Sequence, residues 1–221
     1  MPNLISGAGK GTLSAALASK LGYRYLDSGA LYRLLALASE RHKVALDNQH
    51  ALVMMAAHLD ICFEYNAAEG QTQILLEGED VSRQLRTESV AIMASELAVH
   101  AGVRAALVER QRLFALKPGL VADGRDMGTV VFPEARLKIY LTASAEERAV
   151  RRYKQLLEKG DNVSLRAVRL QVDERDQRDI ERQIAPLRPA SDAIQIDTSE
   201  MSADAVLLQL LEITVVKGLL T

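Results

Sequence analysis

The run Ser6-Gly7-Ala8-Gly9-Lys10-Gly11-Thr12 constrains this chain more than any other stretch. It carries most of the pattern G-x-x-x-x-G-K-[ST], in which successive backbone N–H groups surround phosphate oxygens at a helix N-terminus. Such a loop sits between a buried strand and a helix, so strand, loop and helix must follow in that order. Lys10 offers a point charge to β- and γ-phosphates, Gly11 takes the usual [ST] position, and Thr12 comes next. The pattern's first glycine falls at position 4, where the chain has Leu4, and only Met1-Pro2-Asn3 stand before it. The expectation is a shortened first core strand. It also includes a weakened ATP loop built from Leu4, Ile5, Ser6, Gly7, Ala8, Gly9, Lys10, Gly11 and Thr12.

Taken alone, Gly7-Ala8-Gly9-Lys10 is weak evidence, since a glycine-rich turn can cap any helix. The residues beyond it favour the phosphate loop. Leu13, Ala16, Leu17 and Leu21 recur at helical spacing, and Gly22 stands where a C-terminal cap belongs. Residues 24–27 then read as a short buried strand.

Composition excludes several classes. With 221 residues, 48% apolar and 25% charged, the chain matches a soluble globule with ample length for a core. It has no run of 18 apolar residues and no basic, apolar-cored leader, which predicts a cytoplasmic protein without a membrane partner. Cys62 is the only cysteine, so neither an internal disulfide nor a cysteine-based zinc site is possible, and its apolar neighbours predict burial. A net charge of −2 gives no reason to expect nucleic acid as a partner. The basic residues are uneven, however. Arg148, Arg151, Arg152, Lys154, Lys159, Arg166, Arg169, Arg175, Arg178, Arg182 and Arg188 crowd one segment among acidic residues. Half fit a solvated helix laced by i,i+4 pairs, and some of the others should face a polyphosphate.

Three further apolar runs, at 120–122, 137–141 and 193–196, read as buried parallel strands separated by amphipathic helices. The pattern predicts an α/β protein with a parallel central sheet, and Asp123 and Asp197 at its carboxyl edge. Residues 47–99 break the rhythm with strands at 59–65 and 72–76 and a turn at 77–80, which predicts an antiparallel insertion. Ser202 is placed to cap a last helix, with Val206, Leu207, Leu210 and Leu211 inward.

Longer motifs add a specific likeness. Asp27-Ser28-Gly29-Ala30-Leu31-Tyr32-Arg33, Leu76-Glu77-Gly78-Glu79-Asp80-Val81-Ser82 and Ala122-Asp123-Gly124-Arg125-Asp126-Met127-Gly128-Thr129 lie in order along the chain. Glu174-Arg175-Asp176-Gln177-Arg178-Asp179 and Ala185-Pro186-Leu187 continue the series. In these motifs the chain resembles the bacterial cytidylate kinases, nucleoside-monophosphate kinases of the P-loop fold. The resemblance implies a single kinase domain. Its core would cover about 1–46 and 100–221, its monophosphate-binding insertion about 47–99, and its short lid about 150–163. It implies ATP-dependent phosphorylation of CMP and dCMP, and matching positions imply the roles. Ser28 and Arg33 hold the monophosphate's phosphate, and Arg125, Arg182 and Arg175 act with Lys10 as catalytic cations. Ser95, Arg104 and Asp126 read cytosine, and Asp179 holds the ribose hydroxyls. Asp123, at a strand end, and Thr12 are the expected ligands of the Mg²⁺ that accompanies ATP. No general base is needed, because the attacking phosphate oxygen is already ionised at neutral pH. A monomer is expected. Two other readings fit parts of the chain: a nucleotide-binding protein without turnover, suggested by Leu4, and a kinase for another small phosphate acceptor.

Overall fold

Glycine ends the first helix as the sequence predicts. In the computed structural model β1 (Pro2–Leu4) precedes α1 (Lys10–Leu21), and Gly22 follows with φ of +64°. The amide of Gly22 donates to Ser19 and that of Tyr23 to Ala18, a Schellman pair that satisfies the helix's last carbonyls. The structure describes residues 2–4, 10–66, 71–158, 160, 162–180 and 188–219. They divide into two compact units, Met1–Leu17 with Asp123–Thr221, and Ala18–Ala122.

The first unit is built on a three-stranded sheet of order β1-β7-β8, with β7 at Ile139–Thr142 and β8 at Ile194–Asp197. Both ladders are parallel, with Pro2 opposite Ile139 and Ile139 opposite Ile194. Ile139, Tyr140 and Leu141 are all buried, as expected of a parallel strand covered on both faces. The first strand is short, as expected: β1, three residues long, still gives β7 a ladder on one side.

β7 begins two residues later than the apolar run suggests. Lys138, just before it, is tied to a distant carboxylate. Its side chain is only 8% exposed, and its ammonium donates to both carboxylate oxygens of Asp192 at 2.9 and 2.8 Å. That hydrogen bond holds the Asp192 carboxyl below its ordinary value of 3.8. A depressed carboxyl stabilises the fold above its unfolded pKa, and the stability is lost as pH falls through the folded pKa. Asp192→Asn is therefore expected to lower the melting temperature at neutral pH. The gap from the parent should shrink as pH drops through the acid range, and a gap independent of pH would show that the pair is not its source.

α6 (Ala145–Glu158) and α7 (Leu165–Ile180) pack on each other in the same unit, and Arg169 of α7 lies 2.6 Å from Glu146 of α6. Two members of the arginine cluster turn out to be structural. Arg148 Nε donates to the Ala143 carbonyl, while Arg151 donates to the Thr198 carbonyl at 2.6 Å and pairs with Glu147. Ser202 caps α8 (Ala203–Val216) by accepting from the Ala205 amide. Val206 and Leu210 are buried, and Leu207 and Leu211 half-buried.

The second unit centres on α2 (Ser28–Arg41), where Leu31, Leu34 and Leu35 are fully buried together with Ala36 and Ala38. A helix apolar on nearly every side must be covered on nearly every side. α3 (Gln49–His58), α4 (Glu88–Leu97) and α5 (Ala101–Arg112) do this. β2 (Arg24–Asp27) pairs with β6 (Leu120–Asp123), and Gly119 leaves room for the Tyr23 ring, which a Cβ would approach to 2.6 Å.

The expected antiparallel insertion is present as β3 (Ile61–Asn66), β4 (Gln71–Leu76) and β5 (Glu79–Asp80), with Ile61 opposite Leu76. Glu77 and Gly78 have φ of 54° and 80°, the backbone of a tight two-residue hairpin. The predicted turn at 77–80 thus carries a short extra strand. Cys62 corrects the sequence reading: it is exposed, because β3 alternates and buries Ile61 instead. Among the described residues no single helix is long and apolar enough to cross a membrane.

Candidate active site

In the second unit Asp27, Ser28 and Arg33 lie at and near the start of α2. Asp27 ends β2 and caps α2, its carboxylate accepting from the Ala30 amide at 3.0 Å. A Cβ at Gly29 would lie 3.2 Å from that carboxylate, so glycine keeps the cap unobstructed. Ser28 is buried in the first turn, where helix N–H groups and dipole favour an anion. Arg33 follows on the same helix, half-buried, and its Nη1 donates to the Leu85 carbonyl at 2.8 Å. One edge of the guanidinium is thereby fixed by backbone 52 residues away in sequence. Sequence reasoning missed this partner, and no local signal could have given it.

Ser95 lies exposed on α4, and its hydroxyl donates to the Ala91 carbonyl at 3.0 Å. That bond uses the hydroxyl's proton and leaves its lone pairs as acceptors. Arg104 is half-buried in the first turn of α5. His42, His50 and His58 are exposed and His100 is half-buried, with His42 bonded to Glu77 at 2.6 Å.

In the first unit, Thr12 is exposed in the first turn of α1, which Lys10 opens. Asp123 closes β6 and is 8% exposed. Arg125 and Asp126 follow, both half-buried, just before a π-helical turn at Met127–Val131. The carbonyl of Asp126, not its carboxylate, caps that turn, accepting from the amides of Val130 and Val131. Gly128 has a structural reason. A Cβ there would come 3.1 Å from Lys138 Cδ, so the Lys138 stem supports the turn while its ammonium holds Asp192. This support is a second feature the sequence reading missed, although the glycine in the motif signalled a close approach.

Of Leu4, Lys10, Arg175 and Asp179 the structure describes backbone alone. Leu4 ends β1, and Arg175 and Asp179 stand four apart on α7, hence on one face. Ile5, Ser6, Gly7, Ala8, Gly9 and Arg182 lie outside the described residues.

Arg33 on α2, in the second unit, and Arg125 after β6, in the first, carry guanidinium groups, which suit phosphate oxygens. Among the described residues no three carboxylate, histidine or cysteine side chains gather into a metal cage. One buried carboxylate and one hydroxyl, Asp123 and Thr12, instead suit an ion that also takes phosphate oxygens and water.

The likeness seen in the motifs extends over the chain. The family model described as Cytidylate kinase matches residues 5–215. A protein named cytidylate kinase from Pseudomonas savastanoi pv. phaseolicola is 56% identical over 214 residues, covering 97% of this chain and 93% of its own length. Cytidylate kinases from Aeromonas hydrophila subsp. hydrophila and Serratia proteamaculans are each 57% identical, covering 93% and 91% of this chain and 89% and 87% of their own.

Proposed function

Because this chain belongs to the cytidylate kinase family, we propose that it transfers the γ-phosphoryl group of ATP to CMP and dCMP, giving CDP or dCDP and ADP. The observation that carries the reading is the family match over residues 5–215, within which every motif quoted for nucleotide and cytosine recognition falls in order. The alternative without turnover draws no support from it.

Each residue then has a task. Lys10 and the amides of residues 4–12 hold the phosphates of ATP. Ser28 and Arg33 hold the phosphate of CMP. Ser95, Arg104 and Asp126 recognise cytosine: the carboxylate accepts from the exocyclic amine, and the guanidinium donates to the carbonyl and ring nitrogen. Uracil offers a carbonyl where cytosine offers an amine, so Asp126 repels it. Asp179 holds the ribose hydroxyls. Arg125, Arg175 and Arg182 remove the repulsion between the two phosphates as they meet, and the reacting oxygen attacks in line without a base.

Asp123 and Thr12 would hold Mg²⁺. When bound, it supplies neutralising charge on the transferring phosphates. Residues 150–163 act as a lid over ATP, residues 47–99 as the monophosphate-binding insertion, and the remainder as the core of a single kinase domain. The enzyme works as a cytoplasmic monomer. A coupled assay tests the reading. Release of ADP should require both CMP and Mg²⁺ and match CDP formed, and ADP release indifferent to CMP would overturn it.

A further inference from the structure

The motif at residues 76–82 carries none of the roles proposed above, yet the structure knots it tightly. Asp80 Oδ1 accepts from both the amide and the hydroxyl of Ser82, at 2.9 and 2.6 Å. The Ser82 hydroxyl in turn accepts from the Ile74 amide at 2.8 Å, and the Val81 amide donates to the Ile74 carbonyl. The exit of the β4–β5 hairpin is therefore locked to β4. Val81 is fully buried, its carbonyl accepts from the Leu85 amide, and Leu85 is buried in the 3₁₀ turn Gln84–Arg86. That turn presents the Leu85 carbonyl to Arg33 Nη1 at 2.8 Å.

A second set of contacts holds the same two elements together farther along α2. Arg41 Nη1 lies 3.1 Å from Glu79 and its Nη2 donates to Gln84 Oε1 at 3.0 Å, while His42 meets Glu77 at 2.6 Å. Every one of these contacts ends on the hairpin or the turn that follows it. An arginine has several donors and a long flexible stem, and anchoring one donor on backbone decides where the others point.

We propose that residues 77–84 are a positioning device for Arg33: the Asp80–Ser82 knot and the Arg41 clamp set the Leu85 carbonyl, which aims the remaining Arg33 donors at the phosphate of the acceptor nucleotide. Asp80, Ser82, Glu79 and Arg41 are positioning residues and touch no substrate. The inference rests on the reading of Arg33 as a ligand of the CMP phosphate.

Steady-state kinetics on the full chain tests it. Ser82→Ala should raise the KM for CMP about tenfold, the loss expected when one oriented charged hydrogen bond is misaimed. The KM for ATP and the affinity for cytidine, which lacks the phosphate, should stay unchanged. Ser82→Thr keeps the hydroxyl and should restore the parent KM. Glu79→Gln, at an exposed position that leaves the fold undisturbed, should raise the same KM to a smaller extent. Glu109→Gln, which breaks an exposed pair with Arg112 on α5, should change nothing. In an Arg33→Ala background, Ser82→Ala should add no further loss, because the group it positions is gone. If Ser82→Ala and Glu79→Gln leave the KM for CMP unmoved, or act equally with and without Arg33, the positioning role is overturned and the Arg33 reading stands. If Arg33→Ala itself leaves that KM unmoved, the Arg33 reading fails, and the inference with it.

Discussion

Arg125→Ala should lower kcat roughly 10³-fold, about 4 kcal/mol of transition-state stabilisation, the scale seen when one preorganised charge is removed from a phosphoryl-transfer site. Two anions must meet in this reaction, and a fixed guanidinium matters most at the moment they do. Arg125 is well placed to be fixed, since it lies between the end of β6 and a π-helical turn backed by the Lys138 stem. Cytidine affinity, measured by calorimetry, should stay within a few-fold, because the nucleoside carries no phosphate. A collapse of cytidine binding together with kcat would make Arg125 a structural residue instead.

Asp126→Ala should cost roughly 2–4 kcal/mol in kcat/KM for CMP, as the loss of charged hydrogen bonds to a buried base edge does. The π-helical turn is capped by the Asp126 carbonyl, which alanine retains. Discrimination between CMP and UMP should fall. An unchanged CMP-to-UMP preference would remove Asp126 from cytosine recognition.

Much of the fold was legible in the sequence because local chemistry dictates it. Gly22 reads as a cap since few other residues accept its positive φ, and Ser202 reads as an N-cap since its hydroxyl can reach the Ala205 amide. The alternating insertion strands showed themselves, but the alternation was not carried down to Cys62, whose apolar neighbours suggested burial while the strand's period turned it outward. β7 starts two residues inside the apolar run, and the pairing of Lys138 with distant Asp192 is not readable from that run.

The same limit governs the site. Motifs name Arg33, Arg125 and Asp126, but what holds them comes from residues far away in the chain. The Leu85 carbonyl, the Lys138 stem behind Gly128 and the Thr198 carbonyl on Arg151 are tertiary facts. Composition likewise flagged an arginine-rich segment without telling its structural members from the others. Arg148 and Arg151 are held by Ala143, Glu147 and Thr198. For the residues proposed to hold the ATP phosphates, the glycine pattern with Leu4 at position 4 is the whole of the signal.

The central claim is cytosine-selective phosphoryl transfer, and a coupled ADP-release assay with CMP, dCMP, UMP and AMP as acceptors measures it directly. CMP and dCMP should be used far better than UMP or AMP, with CDP or dCDP formed in step with ADP. Equal kcat/KM for CMP and AMP would contradict the account.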